Sequence, residues 1–143
     1  MTLEDKKLLI QDVMARLPYD TKFDLNGIRG SIHQTNIYAL YKGNDIDNYI
    51  CSVDFFGDGN PIDIEHFKPC LLPLSSMTEE QKKEYNRWKH EVPVCHYEYG
   101  DVVEEVELFD SPESFKYLIE NHFDCHGLIP KGLAIDATGL NIY

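Results

Sequence analysis

The densest group of side chains that could bind a metal ion is His122, Cys125 and His126, which fall within five residues. Imidazole nitrogen and thiolate sulfur are ligands that zinc prefers. A strong zinc signature, however, has two closely spaced ligand pairs, and the other cysteines and histidines are scattered. Two interpretations follow: a metal site built on these three residues, or His122 on the apolar face of a helix, followed by two loop residues. We favour the second and predict neither a metal nor another cofactor.

Carboxylates in the middle of the chain resemble a cation site, but the pattern is incomplete. Asp54, Asp58, Gly59 and Glu65 match the first, fifth, sixth and twelfth positions of a calcium loop, whereas Phe56 stands at the third, where an oxygen ligand is needed. An Asp-Gly step between two apolar runs is also the ordinary signature of a tight turn. The sequence therefore predicts a turn here.

A magnesium-dependent nuclease is a second chemistry that carboxylates suggest, through Asp54, Asp58, Asp63 and Asp136. A nuclease also needs a basic surface for its substrate, and the chain has 13 Lys and Arg against 25 Asp and Glu. The sequence contains no Gly-rich phosphate loop and no nucleophile elbow. We therefore predict no catalytic residues.

A further set of side chains is acidic and lies along and beside a predicted strand. Its members are Glu98, Asp101, Glu104, Glu105, Glu107, Asp110 and Glu113. Negative charges at strand spacing could imitate a row of phosphates and occupy a basic groove of another protein. The alternative is a solvated edge strand that charge protects from aggregation.

Aromatic residues are frequent, with nine Tyr, seven Phe and one Trp. Tyr85 and Trp88 form a narrow apolar strip on an otherwise polar predicted helix, which favours a surface helix that leans on a partner. Such side chains are enriched at interfaces, although they also form the outer layer of a core. A homo-oligomer that uses this aromatic surface is therefore an open alternative.

Composition limits the classes of partner. The net charge of −12 argues against direct nucleic-acid binding and against anionic membranes. No apolar run approaches the ~18 residues of a membrane span, and the first residues lack the features of a signal peptide. The four cysteines show no close pairing, which predicts free thiols in the cytoplasm.

Periodicity predicts three helices around a strand-rich middle. The first helix begins after Thr2, carries the apolar stripe Ile10, Val13, Met14 and Leu17, and ends at Pro18. The second begins after Thr78 and ends at Pro93, and the third begins at Ser111-Pro112 and ends at Gly127. Between the first two helices, Asn26-Gly27 predicts a hairpin turn, and residues 70–72, between Pro69 and Pro73, predict an edge strand or an extended connector. Strands that do not alternate regularly with helices indicate an α+β fold with a mainly antiparallel sheet, in one domain over residues 1–143.

Two segments carry a resemblance. They are Phe67-Lys-Pro-Cys-Leu-Leu-Pro-Leu-Ser-Ser-Met-Thr-Glu-Glu-Gln81 and Asn121-His-Phe-Asp-Cys-His-Gly-Leu-Ile-Pro-Lys-Gly-Leu-Ala-Ile135. These segments resemble small uncharacterised proteins of bacteriophages and prophages of gut bacteria. In that group an aromatic and a basic residue often stand where this chain has Cys125 and His126. The resemblance implies a phage accessory protein in the bacterial cytoplasm, and it implies no activity.

Three functional hypotheses remain. The first is a non-enzymatic accessory protein that binds a macromolecule, in its sharpest form an acidic nucleic-acid mimic that inhibits a host protein, for example one of host defence. The second is a metal-binding protein or metal-dependent enzyme that uses His122, Cys125 and His126. The third is an oligomeric structural protein.

Overall fold

The computed structural model describes residues 1–31, 36–41, 49–54 and 62–143, and side-chain environments for 1–30 and 64–143. Its α-helices are α1 (Leu3–Arg16), α2 (Glu79–Arg87) and α3 (Pro112–Glu120). Its strands are β1 (Lys22–Leu25), β2 (Ile28–Ser31), β3 (Asn36–Tyr41), β4 (Tyr49–Asp54), β5 (Ile62–Asp63), β6 (Phe67–Leu71), β7 (His90–Glu98), β8 (Asp101–Phe109) and β9 (Ile135–Asp136). The predicted α+β fold is confirmed.

Each α-helix begins after a side-chain cap that the sequence predicts. Thr2, Thr78 and Ser111 each accept a hydrogen bond from the third helical residue, whose side chain accepts one from the cap's own N–H. These capping boxes satisfy backbone donors that would otherwise lack partners. The end predicted for α2 is wrong, because the helix stops at Arg87 and Pro93 lies within β7.

The strands form mainly antiparallel sheets. A four-stranded sheet has the order β2-β1-β6-β9, with only β6 and β9 parallel among the described pairs, and β3-β4-β5 form a second sheet. The predicted Asn26-Gly27 hairpin joins β1 to β2, with both residues at positive φ. The prediction of an edge strand or an extended connector around Cys70 is wrong, because β6 is an interior strand that lies between β1 and β9. Pro69 is tolerated there because the ladder to β9 involves only Cys70 and Leu71.

The main core lies between α1 and the four-stranded sheet. Phe23 of β1 stacks on Phe67 of β6, with ring centroids 4.6 Å apart. The buried members of this core are Leu9, Val13, Phe23, Ile64, Phe67, Leu71, Leu128, Leu133 and Ala134. A second, smaller core of Met77, Leu118 and Phe123 lies beneath α3.

The stripe predicted for α1 is rotated in the structure. Val13 is fully buried as expected, but Met14 is 55% exposed. The residues that the helix buries are Leu9, Asp12, Val13 and Arg16. The helix turns Asp12 and Arg16 inward because they pair with each other and find further polar partners in and just after α3.

The predicted turn and calcium-loop positions Asp58 and Gly59 lie outside the described residues, as do the side chains of Asp54 and Asp63. Asp136 lies in β9, exposed, and its carboxylate accepts a hydrogen bond from the backbone of Thr138.

Candidate functional site

Strands β7 and β8 form a hairpin that stands apart from both cores. They pair along their whole length, from His90↔Phe109 to Glu98↔Asp101. Neither strand pairs with another described strand, and neither described core cluster contains a residue from 90–109. Every residue of β7 is exposed except Val94, which is half-buried. An isolated two-stranded hairpin is marginally stable in water at best, so this arm offers faces and edges that a partner can complete.

The register divides the predicted acidic set between the two faces of the hairpin. Cross-strand partners share a face and alternate residues change face. One face therefore carries Glu98, Asp101, Glu105 and Glu107, whereas Glu104 lies on the other. The segment 90–109 contains six carboxylates and no Lys or Arg. The result is a strongly negative arm.

The opposite face of the hairpin is largely apolar and open to solvent. Val106 pairs with Pro93, and Tyr97 pairs with Val102. Val106 is 64% exposed and Tyr97 is 83% exposed, with Leu108 next along the same face at 44%. The arm therefore combines an acidic face with an exposed apolar face, and exposed apolar patches of this kind mark protein-binding surfaces.

Asp110 lies at the base of the hairpin and is held by its neighbours. Its Oδ1 accepts hydrogen bonds from the Tyr85 hydroxyl and the Ser114 hydroxyl, and Lys89 Nζ lies 4.0 Å away. Glu113 lies in the first turn of α3, exposed. The structure thus places five of the seven predicted acidic residues on the arm and two beside it.

The structure gives the two residues of the predicted aromatic pair, Tyr85 and Trp88, different environments. Tyr85 packs between α2 and α3, with its ring stacked on that of Tyr117 at 6.3 Å. Burial, followed by the hydrogen bond to Asp110, raises the pKa of the Tyr85 hydroxyl. Trp88 is 45% exposed and lines a shallow depression of about 150 Å³ with Glu113 and Lys116. Trp88 is therefore the member of the pair that is accessible to a partner.

His122 does not lie on the face of α3 that the sequence predicts. The helix ends at Glu120, and His122 follows its C-cap with a left-handed φ of 63°. The His122 N–H donates to Ile119 O and the Phe123 N–H donates to Leu118 O, which is the Schellman pattern. The predicted stop at Gly127 is therefore wrong, because the chain has already left the helix at His122.

The His122 ring is fixed away from Cys125 and His126. Its Nδ1 lies 3.0 Å from Thr21 Oγ1, and the ring stacks on Tyr143 at 3.9 Å. The Tyr143 hydroxyl donates to Cys70 O at 2.6 Å. Among the described residues, the group that could hold a metal ion contains Cys125 and His126 but not His122.

The environment of His122 makes the stability of the protein pH-dependent. Burial, assisted by the charge of Arg16, lowers the pKa of His122 to about 4, whereas Asp20 opposes this shift and Lys22 adds to it. The unfolded chain binds a proton near the ordinary value of 6.5, so stability is lost as the pH falls from about 6.5 to about 4.

We expect His122→Asn to remove most of this acid sensitivity, because Asn tolerates the left-handed backbone and does not titrate. Between pH 7 and pH 5 the wild type should lose about 1 to 2 kcal/mol more stability than the variant. Urea unfolding at several pH values measures this difference. Parallel pH profiles for the two proteins would contradict the assignment.

Cys125 and His126 meet a buried ion pair of α1. Arg16 and Asp12 are both fully buried, and the guanidinium bonds both carboxylate oxygens, at 2.7 and 2.9 Å. The same guanidinium donates to Phe123 O at 2.8 Å and lies 3.8 Å from Cys125 Sγ. His126 Nδ1 lies 2.9 Å from Asp12 Oδ1 and 3.5 Å from Cys125 Sγ. Four polar side chains thus meet at the junction of α1 and the turn after α3.

The charges of this junction reinforce one another. Burial alone would raise the pKa of Asp12, but hydrogen bonds from His126 and Arg16 outweigh it and hold that pKa below its ordinary value. The hydrogen bond to Asp12, followed by the one to Cys125, raises the pKa of His126 to about 10. The Asp12 carboxylate and the Cys125 sulfur therefore stabilise positive charge at the position of His126 Nδ1 between them.

Sequence reasoning missed Asp12 and Arg16. The available signal was their spacing, since an Asp and an Arg four residues apart share one face of a helix with Leu9 and Val13. Polar residues at such positions are buried only when they are paired.

Comparisons with protein-family models, curated proteins and solved structures gave no match. None of the described helices is both long enough and apolar enough to cross a membrane.

Proposed function

We propose that this chain is a non-enzymatic accessory protein of a phage or other mobile element that inhibits a host protein in the bacterial cytoplasm. In this proposal, the hairpin β7–β8 enters a basic groove that otherwise holds nucleic acid. The observation that carries the proposal is the arm itself, which is exposed on both faces and has six carboxylates without a single Lys or Arg. The phage context rests on the resemblance of the two sequence segments.

Charge favours a basic partner over a second copy of the chain. A dimer formed through the acidic face of the hairpin would bring Glu98, Asp101, Glu105 and Glu107 of two arms together, and like charges at a close interface are costly. A groove lined with Lys and Arg would instead neutralise them, and it would attract the arm at long range.

The apolar face gives the arm a second kind of contact. Tyr97, Val102, Val106 and Leu108 are exposed on one face, so a partner gains free energy by removing them from water. Nucleic acid offers a groove-binding protein its phosphates and base edges. A protein mimic that adds apolar contacts can outcompete it.

The test is affinity capture from a bacterial lysate with two matched variants. The first neutralises the acidic face with Glu98→Gln, Asp101→Asn, Glu105→Gln and Glu107→Gln. The control removes the same number of charges elsewhere, with Glu4→Gln, Glu79→Gln, Glu80→Gln and Glu84→Gln. Captures are made at low and high salt, and bound proteins are challenged with duplex DNA and with RNA.

We expect the wild type and the control to retain a nucleic-acid-binding protein that added nucleic acid releases. The acidic-face variant should lose at least ten-fold of it, and high salt should weaken the wild-type complex because exposed charges are screened. Equal retention by the acidic-face variant, or capture that neither salt nor nucleic acid affects, would contradict the proposal. A stable homodimer in light scattering would favour the oligomeric alternative instead.

A further inference from the structure

We propose that Asp12, Cys125 and His126 form a zinc-binding site at the junction of α1 and the turn after α3. This site is independent of the hairpin and of the proposed function. A carboxylate oxygen of Asp12, Sγ of Cys125 and a ring nitrogen of His126 all lie within 4.8 Å of one another. Carboxylate oxygen, thiolate sulfur and imidazole nitrogen are the three ligand types that zinc takes from proteins.

The distances suit tetrahedral zinc. Zn–S and Zn–N bonds of about 2.3 and 2.0 Å place sulfur and nitrogen about 3.5 Å apart, and Cys125 Sγ lies 3.5 Å from His126 Nδ1. The same geometry needs about 3.3 Å between nitrogen and oxygen, and the separation from His126 Nδ1 to Asp12 Oδ1 is 2.9 Å. An opening of a few tenths of an ångström between two hydrogen-bonded groups is the only adjustment required of this pair.

Arg16 acts as the partner that orients the carboxylate. Its Nε donates to Asp12 Oδ2 at 2.7 Å, while its terminal nitrogen donates to Oδ1 at 2.9 Å and to Phe123 O at 2.8 Å. Ligating carboxylates are commonly held by such hydrogen bonds, which fix their position before the metal arrives.

The charge balance accommodates the dication despite Arg16. The protein holds a proton between His126 Nδ1 and Asp12 Oδ1, and Cys125 carries a second when it is a thiol. When His126 is an imidazolium, zinc binding releases one proton from His126 Nδ1 and one from the Cys125 thiol. Two positive charges leave with these protons and two enter with the zinc ion, so the net charge of the junction does not change. Because the ligands must release protons, the zinc affinity should fall as the pH is lowered.

The accessibility of the ligands suits a site with one open position. Asp12 is fully buried, whereas the His126 side chain is 29% exposed and Cys125 is half-buried. Zinc can therefore enter from solvent, with water as the fourth ligand.

The test is zinc binding by the metal-stripped full chain, measured by competition with a chromophoric chelator, together with cobalt substitution to detect a thiolate–metal absorption band. The site variants are Cys125→Ser and His126→Gln. The matched control is Cys95→Ser with His96→Gln, an adjacent Cys–His pair whose residues lie on opposite faces of the hairpin. Circular dichroism checks that every variant is folded.

We expect one zinc per chain, a cobalt–thiolate band, and a loss of at least ten-fold in affinity for each site variant. The control should bind as the wild type does. The proposal is overturned if the folded wild type binds no zinc, if the site variants bind as tightly as the wild type, or if the band depends on Cys95.

Discussion

Arg16→Met is expected to lower the free energy of unfolding by about 3–5 kcal/mol, because the buried Asp12 carboxylate loses its bidentate partner and keeps only the hydrogen bond to the half-buried His126 among the contacts described above. Asp12 and Arg16 are each fully buried. The guanidinium also donates to Phe123 O, so its loss removes a hydrogen bond between α1 and the turn after α3, although the Cys125 N–H still donates to this carbonyl. The Arg16 side chain therefore links α1 to the segment at the end of α3, although the two are far apart in the sequence.

The matched control is Arg87→Met. The Arg87 side chain is 71% exposed and its ion pair with Glu84 lies on the surface of α2, so this change should cost less than about 1 kcal/mol. Chemical unfolding of the two variants at pH 7 measures the contrast. Equal stabilities for them would show that the buried pair contributes no more than a surface pair.

The double variant Asp12→Leu with Arg16→Met distinguishes the net contribution of the ion pair to stability from the cost of burying one charged partner without the other. Replacing both charged groups of a buried ion pair with apolar groups is often neutral or stabilising. We therefore expect the double variant to be more stable than Arg16→Met alone. A double variant that is less stable than either single variant would instead indicate independent contributions.

Removal of the hairpin is expected to leave the rest of the fold intact while abolishing partner binding. Because His90 and Phe109 are paired, the ends of the deleted segment lie close together, and a short Gly-Ser linker can join Lys89 to Asp110. The contacts of Tyr85 with Asp110 and of Ser111 with the Trp88 carbonyl lie outside the deletion. No described core residue is removed.

The stability of the shortened chain should therefore stay within about 1 kcal/mol of the wild type, as for changes away from the core. Thermal and chemical unfolding measure it, and heteronuclear NMR spectra should retain the shifts of the two cores. A loss of the native fold on deletion would mean that the hairpin is a structural element and not an arm.

Local signals predicted a large part of this fold. Capping boxes depend on residues three apart, so Thr2, Thr78 and Ser111 could be read directly from the sequence. The Asn26-Gly27 turn and the alternation of Val102, Val106 and Leu108 are equally local. These features determine element type, and together they gave the α+β class.

Features that depend on distant residues were not predictable in this way. Met14 fits the apolar stripe of α1, but the helix instead turns Asp12 and Arg16 inward toward the carbonyls that follow α3. His122 fits the face of α3, but a Schellman turn ends the helix before it. Cys125 and His126 were found by type, and only the fold showed that Asp12, 114 residues from His126, completes their group.

Exposure of the hairpin is a second property that the sequence could not show. An alternating strand such as β8 normally buries its apolar face against a second layer. Here no described element covers Val102, Val106 or Leu108, so side chains with a core-like pattern lie in solvent. The same acidic sequence can form an edge strand of a larger sheet or a separate arm, and only the surrounding structure distinguishes the two.

The most direct test of the acidic arm is the dissociation constant of the captured nucleic-acid-binding partner for the full chain and for the chain without residues 90–109. Both are measured at low and high salt. We predict that the deletion weakens binding at least 100-fold and removes its salt dependence. Unchanged affinity for a folded chain that lacks the hairpin would contradict the account.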